Sequence, residues 1–467
     1  MKKQVFALYF ANRGFFPETL IAGARKEMTD AVTKAGFEYI AMEPNETRNG
    51  AIETAEEGRK YAAWLKQHEG TYDGIILCLP NFGDENGAVP AMRDAGVPIL
   101  IQAYPDEIGK MDFASRRDSY CGKFSMEDMF CQYNIPFSVY PLHVVHPLSD
   151  AFAQNLRDFA AVCRIVKSMR RFTIGGIGAR TTAFKTVRFD ELAMQKAGIT
   201  MESYDLSELF ARIRKMSDSR KEIAMKQEVL YQYCNFTKVP VDKMNVLSKM
   251  AVAIDDMIGE YQLDAVSIRC WNEMHQEFGI APCVLLSELN DRGIAASCEM
   301  DICNAVAMRA LSAASQLPAA CLDWNNNYGD DPDRCILFHC GPVAQTLMDG
   351  KGTVGIHKMF AKGNGSDYGW GVNEGRIAAT PMTYASMRTD NGQMYFYAGK
   401  GEFTGEPIEQ EYFGCGGVVK IKNLQEKLIY IGKNGYRHHV TTTPGDYLVA
   451  IEDAFTTYLG YNLKILQ

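Results

Sequence analysis

Carboxylates and imidazoles at the ends of apolar runs are the residues of this chain best placed to do chemistry. The segment "GIAASCEMDICNAVAMR", Gly293 to Arg309, has small apolar residues as far as Cys298 and then Glu299 and Asp301. A helical pattern follows from Ile302 to Ala313. Two carboxylates ending a buried strand are costly unless they are solvated or face positive charge. Asp301 has a second use, as cap of the following helix. Only eight histidines occur, so each can be placed. His339 ends the apolar run "DRCILFHC", and His438 and His439 form "YRHHVTTT". Glu273 follows another strand pattern in "SIRCWNEMHQEFG", with Glu277 one helical turn further on. Two carboxylates with two imidazoles suit a divalent ion such as Mn²⁺ better than Ca²⁺, and are less specific for Zn²⁺. Adjacent residues on a strand face opposite sides, so one of His438 and His439 is the expected ligand.

These residues need elements to hold them at strand ends. The first part of the chain alternates strand and helix: "QVFALYF", "PETLIAGARKEMTDAVTKAG", "FEYIAME", "ETAEEGRKYAAWLKQH", "DGIILCLP", "AVPAMRDAG" and "VPILIQAYP". That pattern is a doubly wound α/β domain with a parallel sheet, whose ligands meet the carboxyl ends of the strands. A long helix over Asp150 to Met169 leads to a second α/β unit opening with "RFTIGGIGA". Arg180 and Lys185, near its start, line the cleft or belong to a solvated loop. After Leu317 the segments become short and β-rich, with turn signals at "TDNGQ" and "GKNGY" and with "GGVVKIKN" and "KLIYIGK" flanking one connection. The expected fold class is α/β: two parallel-sheet domains, 1–168 and 169–316, then an antiparallel barrel-like domain, 317–467.

Composition narrows the function. Of the 467 residues, 47% are hydrophobic and 23% charged, which fits a globular protein of two or three domains. The net charge of −8, with no basic stripe, argues against nucleic acid as a partner. No apolar stretch approaches the length of a membrane span, and the N-terminal "MKKQVFALYF" reads as a first strand. The 13 cysteines form no C-x-x-C pair and suggest free thiols in a reducing cytoplasm. "CEMDIC" and "CILFHC" read as buried thiols before a zinc knot. "GGIGAR" breaks the dinucleotide fingerprint at Thr181, so no nucleotide cofactor is expected. "GSDYGWGVNEGR" suits a sugar-stacking loop or, more simply, a turn with a packed Trp370.

Four motifs carry a resemblance over essentially the whole length: "FFPETL" after the first strand, "MDFASRRD", "CEMDICNAVAM" and "HHVTTT". The chain resembles the L-arabinose isomerase and L-fucose isomerase superfamily. That resemblance implies a divalent ion, commonly Mn²⁺ with Co²⁺ or Mg²⁺ as alternatives. Its ligands would be Glu273, Glu299, His339 and His439, with Asp301 and Glu277 as alternative acidic ligands. It also implies reversible aldose–ketose isomerisation through an enediol, with Glu273 and Glu299 as the acid/base pair. Asn12, Arg13 and Phe15 look like the family's substrate-recognition segment, which reaches the active site of a neighbouring subunit. A homo-oligomer, a trimer or hexamer with its active site at a subunit interface, is implied. Arg180 and His438 join the expected substrate contacts. The sugar would be L-fucose-like or L-arabinose-like, or an anionic hexose such as sulfoquinovose, welcomed by Arg13, Arg116, Arg117 and Arg180. Competing readings are a non-catalytic sugar-binding protein and another divalent-metal carbohydrate enzyme, an aldolase or hydrolase.

Overall fold

Apolar runs that stay buried build the inner strands of two parallel sheets, as expected where helices cover both faces, while the edge strands Glu38–Ala41 and Ile199–Tyr204 are partly exposed. The computed structural model describes residues 3–362, 365, 368–409 and 412–467. A first compact unit comprises Met1–Lys167 together with Glu452–Gly460. Its strands are β1 (Val5–Phe10), β2 (Glu38–Ala41), β3 (Gly74–Leu79) and β4 (Ile99–Ala103), all parallel in the order β2-β1-β3-β4. Its helices read directly from local chemistry. Ala55–Gln67 starts at a capping box in which Thr54 accepts from the Glu57 backbone and Glu57 reaches back. Asp150–Met169 spans the expected bounds and buries Phe152, Leu156, Phe159 and Cys163 at three- and four-residue spacing against the sheet. The late segment is tied in by Tyr458, whose hydroxyl bonds the backbone of Ile99, and by Asp453, which accepts from the Tyr140 hydroxyl at 2.9 Å.

The second unit, Ser168–Ile451 with Tyr461–Gln467, holds the other two expected layers. Its parallel sheet contains β5 (Phe172–Ile177), β6 (Ile199–Tyr204), β7 (Ala265–Ile268) and β8 (Ala295–Cys298), in the order β6-β5-β7-β8. The glycines of "GGIG" are explained by packing: a Cβ on Gly176 would meet Met201 and Met300, and one on Gly178 would meet Arg269 and Leu206.

The β-rich part comprises β9 (Ala320–Asn327), β10 (Arg334–His339), β11 (Thr353–Ile356), β12 (Trp370–Arg376), β13 (Thr380–Asp390), β14 (Gln393–Phe403), β15 (Cys415–Lys420), β16 (His439–Pro444) and β17 (Asn462–Leu466). Six of these strands close on themselves. β15 pairs with β10, β10 with β9, β9 with β16, β16 with β13, β13 with β14, and β14 with β15 again, every pair antiparallel. Leu322, Leu337, Tyr384, Tyr397, Phe403, Val419 and Val440 share the buried cluster inside. "TDNGQ" is the two-residue hairpin joining β13 to β14, with Asn391 and Gly392 at φ 48° and 75°. "KLIYIGK", expected as β, is part of the helix Leu424–Lys433. Leu424, Lys427 and Ile431 bury at helical spacing there, and "GKNGY" ends that helix. Trp370 opens β12 half-buried against the core; Ser366 and Asp367, within the suggested stacking loop, lie outside the described residues.

Candidate active site

The centre of the site is His439, the first residue of β16. The register pairs Val440 with Leu322, both in the barrel core, and His439 with Asp323. By alternation His439 and Asp323 point out of the barrel. On that outer side lies the helix Ile302–Ser315, whose Asn304 accepts from Thr441 at 3.1 Å. Asp301 caps this helix, as anticipated, by accepting from the Asn304 backbone. It does more than cap. Its Oδ1 also takes the Arg437 guanidinium, and its Oδ2 takes the Asn304 amide at 2.6 Å and His439 Nδ1 at 2.7 Å. Asp301 and His439 are both fully buried.

Glu299 reaches the same histidine from the end of β8. Its Oε2 stands 3.1 Å from His439 Nε2 and 3.8 Å from His339 Nε2, and its Oε1 accepts from the Trp271 indole at 2.9 Å. The backbone that puts it there is unusual. Glu299 and Met300 have φ of 62° and 60°, consecutive non-glycine residues in the left-handed region. Asp323 Oδ1 approaches His439 Nε2 to 3.3 Å. Phe184 packs on Trp271, His438 and His439 at ring separations of 5.2, 5.4 and 5.7 Å, and so walls the site.

Charge is finely balanced here. Burial would raise the Glu299 carboxyl, but the closely placed His439 and the charge of His339 outweigh it and hold it below the usual range. Burial likewise opposes ionisation of Asp301, and Arg437 followed by His439 overcomes it, leaving the group well below a normal aspartate. Burial would lower His439, yet Asp301 and Glu299 raise it to about 10. Asp323 is pushed up, chiefly by burial. The surroundings therefore demand a positive charge at His439 Nε2, supplied by a proton or by a metal ion that displaces it. Two atoms fit the metal: His439 Nε2 and Asp323 Oδ1 are buried with no hydrogen-bond partner among the described residues. Glu299, His339 and His439 offer ligand atoms that converge, as do Asp323, His438 and His439.

The other expected residues are distributed as follows. Glu273 begins the helix Glu273–Phe278, with its carboxylate engaged by both donors of Arg269, and Glu277 pairs with Arg214. His438 is half-exposed, 3.7 Å from Asp323. Arg180 donates to the carbonyl of Thr181, and Lys185 is exposed in a short turn next to Phe184. In the first unit, Asn12 is buried between Glu53 and Asn81. Arg13 pairs with Glu85 and stacks on Phe82, while Phe15 is exposed. Arg116 pairs with Asp118, and Arg117 lies over the Tyr104 ring. Trp271, Phe184, Asp323 and Arg437 were not singled out from sequence. An acidic residue on the apolar strand "ACLDW" was the available signal for Asp323.

The fold and the site together define an enzyme of two α/β layers and a barrel, with a buried carboxylate–imidazole group that could hold a divalent metal. Residues 7–170 match the family described as fucose/sulfoquinovose isomerase, N-terminal domain, and residues 337–467 match L-fucose isomerase, C-terminal domain. The chain is 25% identical over 387 residues to a sulfoquinovose isomerase of Priestia aryabhattai, an alignment covering 80% of this chain and 81% of that one. A sulfoquinovose isomerase of Alkalicoccus urumqiensis is 24% identical over 334 residues, 69% of this chain and 72% of that one. An ABC transporter periplasmic solute binding protein from Actinobacillus succinogenes 130z, with bound D-allose, covers 68% of this chain and 93% of that one at 11% identity, but its TM-score of 0.18 carries no argument. The chain belongs to the L-fucose isomerase superfamily and is a sugar isomerase. No helix among the described residues is long and apolar enough to cross a membrane.

Proposed function

We propose that the chain interconverts an aldose and a ketose with the help of a divalent ion, Mn²⁺ by preference, held by Glu299 and His439. The observation that carries this reading is the buried Nε2 of His439, without a hydrogen-bond partner among the described residues, facing Glu299 Oε2 at 3.1 Å. When bound, the ion supplies Lewis-acid polarisation of the sugar's carbonyl oxygen. The protein's own groups do the rest. Glu299 moves a proton between C1 and C2 of the sugar. The Trp271 indole donates to its Oε1 and so fixes the orientation of the carboxylate. Asp301 and Arg437 hold His439 in one tautomer. Phe184 and Trp271 give the site apolar walls that limit water. Glu273, expected as the second acid/base, is paired with Arg269, so the proposal rests on Glu299.

The substrate proposed is an anionic hexose, sulfoquinovose. The names of the relatives favour it, and so does the chain between Arg180 and Arg188. That stretch carries Arg180, Lys185 and Arg188 around Phe184, and its Arg188 carbonyl accepts from Arg437 at 3.2 Å. A homo-oligomer in the cytoplasm, with Asn12, Arg13 and Phe15 serving a neighbouring subunit, belongs to the same proposal. The test is turnover in D₂O, followed by NMR. Chelator-treated protein is incubated with sulfoquinovose, L-fucose, L-arabinose and D-arabinose, with and without Mn²⁺. Mn²⁺-dependent ketose formation that disappears in Glu299→Gln is the expected result. Turnover unaffected by chelation, or by Glu299→Gln, would overturn the site assignment.

A further inference from the structure

We propose that Cys270 and Cys298 form an oxidation site, where a small peroxide converts two thiols to a reversible disulfide and stops turnover. The effect on turnover rests on the role given to Glu299 above; the cross-link itself does not.

The isomerase reading leaves the cysteines without a use. Buried thiols commonly pack as small apolar groups. Cys234 and Cys415 do so and give their S–H groups to the carbonyls of Gly352 and Asn373. Four other free, buried thiols meet one another instead. Cys270 lies two residues beyond β7, Cys298 ends β8, Cys340 follows β10, and Cys283 opens the helix Cys283–Asp291. Cys298 Sγ lies 3.0 Å from Cys270 Sγ, and Cys283 Sγ lies 3.6 Å from Cys340 Sγ. The fold has brought sulfurs from four separate elements to one place.

The closest pair is also the one tied to the site. β7 and β8 are parallel neighbours with Ile268 opposite Cys298, so Cys270 leaves the sheet at the end where Cys298 stops. Bonded sulfurs stand about 2.0 Å apart, which leaves this pair about 1 Å to close. The residue after Cys270 is Trp271, and the residue after Cys298 is Glu299. The Trp271 indole donates to Glu299 Oε1 at 2.9 Å, and Glu299 holds a left-handed φ of 62°. A bond that draws the two strand ends together therefore displaces the carboxylate and its donor at once.

The chemistry needs two thiols and one peroxide. Cys270 is the more open of the pair, 4% exposed against 1% for Cys298, so its sulfur meets the oxidant. An S–O bond forms, the O–O bond breaks, and the second oxygen leaves as water with the thiol proton. The Cys298 sulfur then attacks the sulfenic sulfur. The S–S bond forms, the S–O bond breaks, and the hydroxyl leaves as a second water with the second thiol proton. The two sulfurs lose two electrons in all, and the peroxide gains them. A dithiol reverses the change by exchange.

The test has two arms, both on the full-length chain. In the first, reduced, metal-free protein is exposed to hydrogen peroxide, its remaining thiols are alkylated, and it is cut by a glutamate-specific protease. Cleavage after Glu273 separates Cys270 from Cys283, and cleavage after Glu299 separates Cys298 from Cys303. Mass spectrometry should find a Cys270–Cys298 cross-link that dithiothreitol removes. A Cys283–Cys340 cross-link in its place, or no cross-link, would overturn the proposal. In the second arm the treated protein is freed of peroxide, given Mn²⁺ and assayed with sulfoquinovose. The turnover number of the parent should fall about 10- to 100-fold and return with dithiothreitol. Cys270→Ser should keep its own untreated rate after peroxide, and Cys298→Ala is the second variant in case serine at 270 unfolds the chain. Equal loss in the variants, or a loss that dithiothreitol does not reverse, would overturn the effect on turnover. A parent that isomerises no sugar even before peroxide would defeat the function proposed above, while the cross-link map would still decide the oxidation site.

Discussion

His439 donates from Nδ1 to Asp301 Oδ2 across 2.7 Å, while Asp301 Oδ1 receives the buried Arg437. A cation at one end thus fixes the ring that faces the site at the other. Removing Arg437 leaves a buried carboxylate short of charge. Arg437→Met should cost roughly 3–5 kcal/mol of unfolding free energy, read by urea titration. Combined with Asp301→Asn, the loss should be smaller than the sum of the two, because the pair then disappears as a unit. Additive losses would show that the two groups act separately.

Stability should fall with acid in two stages. His275 is buried and, beside His357, held down to about 4. The unfolded chain protonates it first, near its ordinary value of about 6.5, so its contribution is lost as the pH falls from there toward 4. His275→Gln should flatten that part of the profile. Asp301 lies lower still: its contribution is complete above about pH 5 and is lost only as the pH falls below about 4. Thermal melts between pH 7 and pH 3 check both windows.

Trp271→Phe keeps the ring and deletes the N–H that holds Glu299 Oε1. The turnover number should drop about 10- to 100-fold with little change in KM, as for other residues that orient an active group. The acidic limb of the pH–rate profile should move to higher pH, because Glu299 loses a donor that favours its charged form. A change confined to KM would place the indole in substrate binding.

Met300→Gly sets two effects against each other. Glycine removes the left-handed strain, worth about 1–2 kcal/mol. It also deletes a buried side chain that packs toward Gly176, a loss of about 2–5 kcal/mol. The cavity should win, with net destabilisation of about 1–3 kcal/mol in urea unfolding. A stabilised variant would mean that the strain at 299–300 is larger than its φ values imply.

What sequence could show here followed chain distance. The strand before Glu299, the helix capped by Asp301 and the long helix Asp150–Met169 are local patterns of burial and capping, and they read correctly. Asp323 was hidden because its importance comes from lying opposite His439, more than a hundred residues later, and no local pattern encodes that register. Arg437 was overlooked for the same reason: its partner Asp301 is 136 residues away. "KLIYIGK" misled because short apolar runs suit strand and helix alike, and burial at 424, 427 and 431 settles the period only in three dimensions.

The first compact unit takes its last segment, Glu452–Gly460, from near the far end of the chain. During synthesis, the ribosome therefore releases the first sheet long before the residues that seal it, and the backbone of Ile99 must wait for the hydroxyl of Tyr458. A nascent chain arrested after residue 167 should be more open to protease than the finished protein, and a C-terminal truncation before 452 would damage the beginning of the molecule as well as the late β-sheet, from which it removes β17.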